Sequence, residues 1–130
     1  MGTDIHLHVE LKINGRWEHY CSPNISRDYN LFAKMANVRN EDREINPISI
    51  PKGLPNDLSV ITSYDFLTNW EKDAHSISWF SFKEICELEK YLNDNGTYLD
   101  TLFKCYLFGN AFDHLPKGVE DMRFVFWFDN

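Results

Sequence analysis

Three of the five histidines in this 130-residue chain, His6, His8 and His19, fall within the first twenty-one residues, beside Cys21. The i, i+2 spacing of His6 and His8 puts both imidazoles on one side of a strand. With the Cys21 thiolate opposite, His6, His8 and Cys21 could supply the three protein ligands of a zinc site, with His19 as a further candidate. The competing reading is of ordinary cross-strand contacts on a wet, half-exposed hairpin face. A second chemistry comes from two Asp/His couples, Asp4 with His6 and Asp73 with His75, each carboxylate able to orient an imidazole for general acid or base work. For catalysis the strands carrying them must adjoin, with Arg39 or Lys52 steadying a phosphate. A third chemistry needs no reaction. His6, His75, Ser76 and Ser78 would supply hydrogen bonds, Trp79 or Trp17 a stacking surface, and Arg39, Asn40 and Lys52 an anion clamp. Such a set suits a small anionic, nucleotide-like ligand. No convincing nucleophile accompanies it: Ser76 follows His75 directly, and neighbours on a strand point to opposite faces.

These side chains need elements to hold them. Asn14-Gly15 is the strongest short hairpin signal, since both residues tolerate positive φ, and it predicts strands over 4–13 and 16–21. A two-residue loop pairs Ile13 with Arg16, and hence Glu10 with His19 and His8 with Cys21. Ile5, Leu7, Val9 and Leu11 form one row; His6, His8, Glu10, Trp17, His19 and Cys21 form the other. Residues 28–36 read as a short helix capped by Ser26 or Asp28. The stretch 37–57 has three prolines and no long period, and is expected to be an ordered, functional loop. A helix follows over 58–70, with Asp57 as candidate cap and Leu58, Ile61, Tyr64 or Asp65, and Leu67 at mixed helical spacing.

Residues 76–80 suit a strand, and Ser81-Phe82-Lys83-Glu84 spells a capping box, so a helix should begin at Phe82 and end at Asn95-Gly96. A further helix is expected over 97–108, with Gly109 at its end. In the closing MRFVFWFDN, Met122, Phe124, Phe126 and Phe128 point one way and Arg123, Val125 and Trp127 the other. A strand apolar on nearly both sides belongs inside its sheet, paired with the first strand. The expected fold is one α+β domain over 1–130: a small, largely antiparallel sheet, built from the N-terminal hairpin plus the C-terminal strand, packed against three or four helices.

Composition narrows the function classes. An aromatic share of 15% and a hydrophobic share of 43% place the chain among folded proteins. No run approaches the roughly twenty apolar residues of a membrane span, and Gly2 lacks the hydroxyl residue at position 6 that acylation needs, so a cytoplasmic protein with no membrane contact is expected. Three cysteines without a CxxC pair fit reduced thiols. A net charge of −7 argues against bulk nucleic-acid binding. Residues 27–52 nevertheless carry +1 locally, leaving −8 for the rest, so an anion should be met there.

Met1-Gly2-Thr3-Asp4-Ile5-His6, Val38-Arg39-Asn40, Pro51-Lys52-Gly53-Leu54-Pro55, His75-Ser76-Ile77-Ser78-Trp79 and the closing Val125-Phe126-Trp127-Phe128-Asp129-Asn130 resemble a family of small proteins of tailed phages and prophages that begin MGxDIH. The resemblance implies a viral accessory protein acting in the host cytoplasm, in host take-over or counter-defence, and does not imply a particular activity. Where the family's loop usually reads Pro-Arg-Gly, this chain has Lys52, which keeps the charge and loses the bidentate fork. His8, His19 and Cys21 lie outside the motif, so a metal site on them would be particular to this chain. The leading expectation is a protein that binds and sequesters a nucleotide-like ligand such as a host immune signalling nucleotide. The alternatives are a His/Asp-based, metal-assisted phosphodiesterase and a direct inhibitor of a host protein; a homo-oligomer is open in each. The two-histidine phosphoesterase pattern is not met, because it wants a hydroxyl two positions after each His, where this chain has His8 and Ile77.

Overall fold

The first two strands form where expected, β1 over Asp4–Ile13 and β2 over Arg16–Cys21. Asn14 at φ 52° and Gly15 at φ 75° make the turn, both in the left-handed region that a type I′ hairpin requires. The structure, a computed structural model, describes residues 2–95, 115 and 117–130. The expected helix over 97–108 lies outside the described residues. Four strands form one antiparallel sheet in the order β2-β1-β4-β3, where β3 is His75–Phe80 and β4 is Asp121–Asp129. The N-terminal hairpin and the C-terminal strand thus join one α+β fold, with three helices among the described residues.

On one face of the sheet, Ile5, Leu7, Val9 and Leu11 of β1 and Phe124, Phe126 and Phe128 of β4 meet helices α1 (Tyr29–Ala36) and α3 (Phe82–Asp94). Burying a phenylalanine of this kind stabilises the fold by about 2 to 3 kcal/mol, so this face holds the main core. Asp28 caps α1, its side chain accepting from the Leu31 N–H at 3.1 Å. The capping box of α3 forms, Ser81 and Glu84 exchanging bonds with each other's backbone N–H.

The second face departs from expectation. Residues 60–70 are helical, as expected of 58–70, but not as one regular α-helix. Helix α2 (Val60–Asp65), with Ser59 rather than Asp57 at its N-cap, runs into a π-helical turn, Phe66–Trp70. Tyr64 is 70% exposed, and Ile61 and Leu67 also face outward. Phe66 turns in instead, joining Val125, Trp127, Trp79 and Leu54 in a second apolar cluster. This segment roofs the face of β1 that carries His6, His8 and Glu10, so the wet hairpin face of the sequence reading is a covered one: His8 is 5% exposed and Glu10 0%.

Two bulges reset the register. Between Val9 and Glu10 the pairing slips, so that Glu10 faces His19 as expected but Cys21 faces Val9, on the opposite side from His8. On β3, His75 pairs with Phe128 and Ser78 with Phe126, one residue more than β4 supplies, and Ser76 takes up the excess at φ 52°.

Candidate functional site

The polar residues fall into three groups. The first lies where β1 begins, β4 ends and β3 begins. His6 is held from two sides, its Nε2 2.7 Å from Asp129 Oδ1 and its ring stacked on Trp70 at 3.7 Å between centroids. Asp4 does not join His6; it takes two bonds from Arg27, the nearer at 2.7 Å, and the Arg27 guanidinium holds its carboxyl below the usual range. Across the sheet, Asn130 Oδ1 accepts from Thr3 Oγ1 at 2.8 Å and lies 2.9 Å from His75 Nε2, while Arg39 Nε donates to Thr3 Oγ1 at 2.9 Å.

Because β4 stands between β1 and β3, the two Asp/His couples do not converge. His6 shares the Trp127 side of the sheet and His75 the Phe128 side, while Asp73 turns its N–H to the Trp70 carbonyl. The Ser76 bulge does overturn one local expectation: it brings Ser76 Oγ to 3.0 Å from His75 Nδ1, although the two are sequence neighbours.

The second group lies under α2. His8 Nε2 is 2.8 Å from Asp65 Oδ2, and His8 Nδ1 is 2.8 Å from Ser22 Oγ and 3.0 Å from His19 Nε2. Burial pushes the pKa of both imidazoles below the ordinary 6.5, in His8 against the raising influence of Asp65 and in His19 with added repulsion from His8. Asp65 is raised by burial but lowered further by bonds from Asn69 and His8, and stays below the usual carboxylate range. The expected zinc set of His6, His8 and Cys21 does not assemble. His6 is taken by Asp129, and Cys21 packs against the main core, where burial pushes its thiol up to about 11, opposite to the lowered value of a ligand thiol. Among the described residues no group of three or more His, Cys, Asp or Glu side chains is placed to hold a metal.

The third group is a groove of about 730 Å³ whose lining includes Trp17, Trp79, Lys52, Asn56, Ser81 and Arg123. A tight turn places Lys52: its N–H donates to Ser78 Oγ at 3.0 Å, and Gly53 at φ 84° donates to the Ile77 carbonyl. Lys52 Nζ stands 3.9 Å above the Trp79 ring and pairs with Glu84, and Arg123 Cζ stands 4.0 Å above Trp17. The Arg123 fork is fully engaged, with Glu10 and with the carboxylate and carbonyl of Asp57, so Lys52 is the groove's adaptable cation.

Of the residues expected to bind a ligand, Lys52 and Trp79 come together at the groove, which Trp17 also lines, while Ser78 is buried beneath it and holds the Lys52 N–H. His6, Arg39, His75 and Ser76 gather instead around Asp129 and Asn130. Asn40 braces its own loop, bonding Asn37 Oδ1 and the Ile45 carbonyl. Sequence reasoning missed Arg123, Asp65, Ser22 and Trp70. For Arg123 a signal existed, because a cation inside an otherwise apolar strand demands a buried partner. Ser22 and Asp65 meet His8 only through the fold, 14 and 57 residues away in the chain. No protein-family model, curated protein or solved structure matches the chain, so function has to be argued from these three groups.

Proposed function

We propose that this chain is a viral accessory protein that captures a small, anionic, nucleotide-like molecule in the groove and holds it intact, removing a signal from the host cytoplasm. The observation that carries the reading is the placing of Lys52 over Trp79, with Trp17 on the same groove, in a volume within the usual ligand range of about 300–1,000 Å³. A base stacking on Trp79 takes the place the Lys52 ammonium holds over the ring, and that ammonium, with three donors and one of them on Glu84, has capacity left for a phosphate. The resemblance to phage proteins supplies the biological setting; the chemistry stands without it.

The test is to incubate the purified chain with a panel of mononucleotides, cyclic nucleotides and cyclic dinucleotides, follow binding by calorimetry, and identify what is recovered from the washed protein. An intact nucleotide, lost in Trp79→Ala, supports capture. A cleaved one would replace capture by the phosphodiesterase reading, and no binding across the panel would move the case to direct inhibition of a host protein.

A further inference from the structure

Ser22, next to the end of β2, stands at the outer end of a relay that the groove does not use. Asp65 anchors its inner end: Oδ1 accepts from Asn69 Nδ2 at 2.8 Å, and Oδ2 lies 2.8 Å from His8 Nε2. An ionised carboxylate only accepts, so the hydrogen on that second contact belongs to Nε2, and Nδ1 of the neutral imidazole is left as an acceptor. Two groups are within reach of that acceptor, Ser22 Oγ at 2.8 Å and His19 Nε2 at 3.0 Å, and the nearer of them is the hydroxyl. His19 Nε2 lies 3.0 Å from the same Oγ and closes the cluster. Ser22 is exposed while His8 is buried, as a nucleophile and its base must be for a substrate to reach one and water to be kept from the other.

We propose that Ser22 is a nucleophile, with His8 as its general base and Asp65 as the positioning residue that fixes the His8 tautomer, and that the centre acts on activated carboxylic esters. Oγ adds to the carbonyl carbon while its proton passes to His8 Nδ1. Collapse of the tetrahedral intermediate breaks the bond to the alcohol, which leaves with that proton. Water, deprotonated by the same imidazole, then releases the acid and restores the serine. In the tautomer that carries its hydrogen on Nε2, His19, 3.0 Å from Oγ, would be the donor nearest the developing oxyanion. An ester fits better than a phosphodiester because the relay itself is made of Ser22, His8, His19 and Asp65, without the cationic clamp that phosphoryl transfer uses.

The full chain is treated with a fluorophosphonate probe, which forms an O–P bond and loses fluoride as His8 takes the proton, and the adduct is mapped by mass spectrometry. The expected result is one adduct per chain on Ser22, with a burst of alcohol from a p-nitrophenyl ester, both abolished by Ser22→Ala. This exposed substitution leaves the fold intact. His8→Gln should slow labelling by about a hundredfold or more, and Asp65→Asn should slow it while displacing its pH profile, a change that loss of packing alone does not produce. Absence of an adduct on Ser22, or an equal rate in a folded His8→Gln variant, would overturn the assignment. Tight zinc binding that blocks the label and is lost in His19→Ala would overturn it in favour of a metal site.

Discussion

Arg123 of β4 donates from Nε to Glu10 Oε1 of β1 at 2.8 Å, and the two are 4% and 0% exposed. The pair also ties down the segment that roofs the second face: Arg123 Nη1 reaches Asp57 at 2.7 Å, and Glu10 Oε2 accepts the Ser59 N–H, at the N-cap of α2, at 3.0 Å. Removing one charge strands the other without water, so Arg123→Ala is expected to cost about 3 to 5 kcal/mol. Neutralising both, in Glu10→Gln with Arg123→Met, should cost less than the sum of the single changes. Denaturant midpoints of the four proteins in the cycle check this; strict additivity would mean that the pair is not coupled.

Stability should fall on mild acidification. His8 and His19 both have folded values below the ordinary 6.5, so below that pH the unfolded chain binds protons that the folded chain refuses. Their contribution is complete above about pH 6.5, and is lost as the pH drops through their folded values. Asp65, also lowered, adds a further loss below its usual range near 3.8. Unfolding curves at about pH 7.5 and 5.5 should differ in the native chain, and the difference should shrink in His8→Asn.

Ser81→Ala should remove about 1 kcal/mol by leaving the Glu84 N–H without its cap. Thermal unfolding reads this as a fall of several degrees in Tm for a domain of this size.

Glu84 serves both the cap and the groove, accepting from the Ser81 N–H and pairing with Lys52. Glu84→Gln keeps an oxygen for the cap but releases the ammonium, and is expected to tighten nucleotide binding. Lys52→Ala should weaken it by about tenfold or more, and Trp79→Ala by about 1 to 3 kcal/mol. Calorimetric titration of the three variants provides the check; a Glu84→Gln protein no tighter than the parent would show that Lys52 is not the groove's anion contact.

Much of the backbone was legible because local chemistry set it. Asn14-Gly15 marked both hairpin strands, Ser81 with Glu84 marked the start of α3, and the alternation after Met122 identified a strand buried on both sides. The bulges escaped. One residue slipped between Val9 and Glu10 removed Cys21 from the histidine side, and the extra residue at Ser76 let a hydroxyl reach its neighbouring imidazole. Neither has a signature in residue type. The covering of the second face was equally hidden, because Ile61 and Leu67, at helical spacing from Leu58, face outward while Phe66 is the residue that turns in.

The candidate sites divide along the same line. Side-chain periodicity placed His6, His8 and Glu10 on one side of β1, a property of a few consecutive residues, whereas Lys52 meets Trp79 only because its turn bonds to Ile77 and Ser78 of a distant strand. Which distant groups those side chains meet was decided by β4 entering between β1 and β3, and by α2 folding over the second face. That choice sent His6 to Asp129, His75 to Asn130 and His8 to Asp65 and Ser22. It is made by burial of β4 on both faces, a free energy summed over the whole sheet that no short stretch of the chain carries.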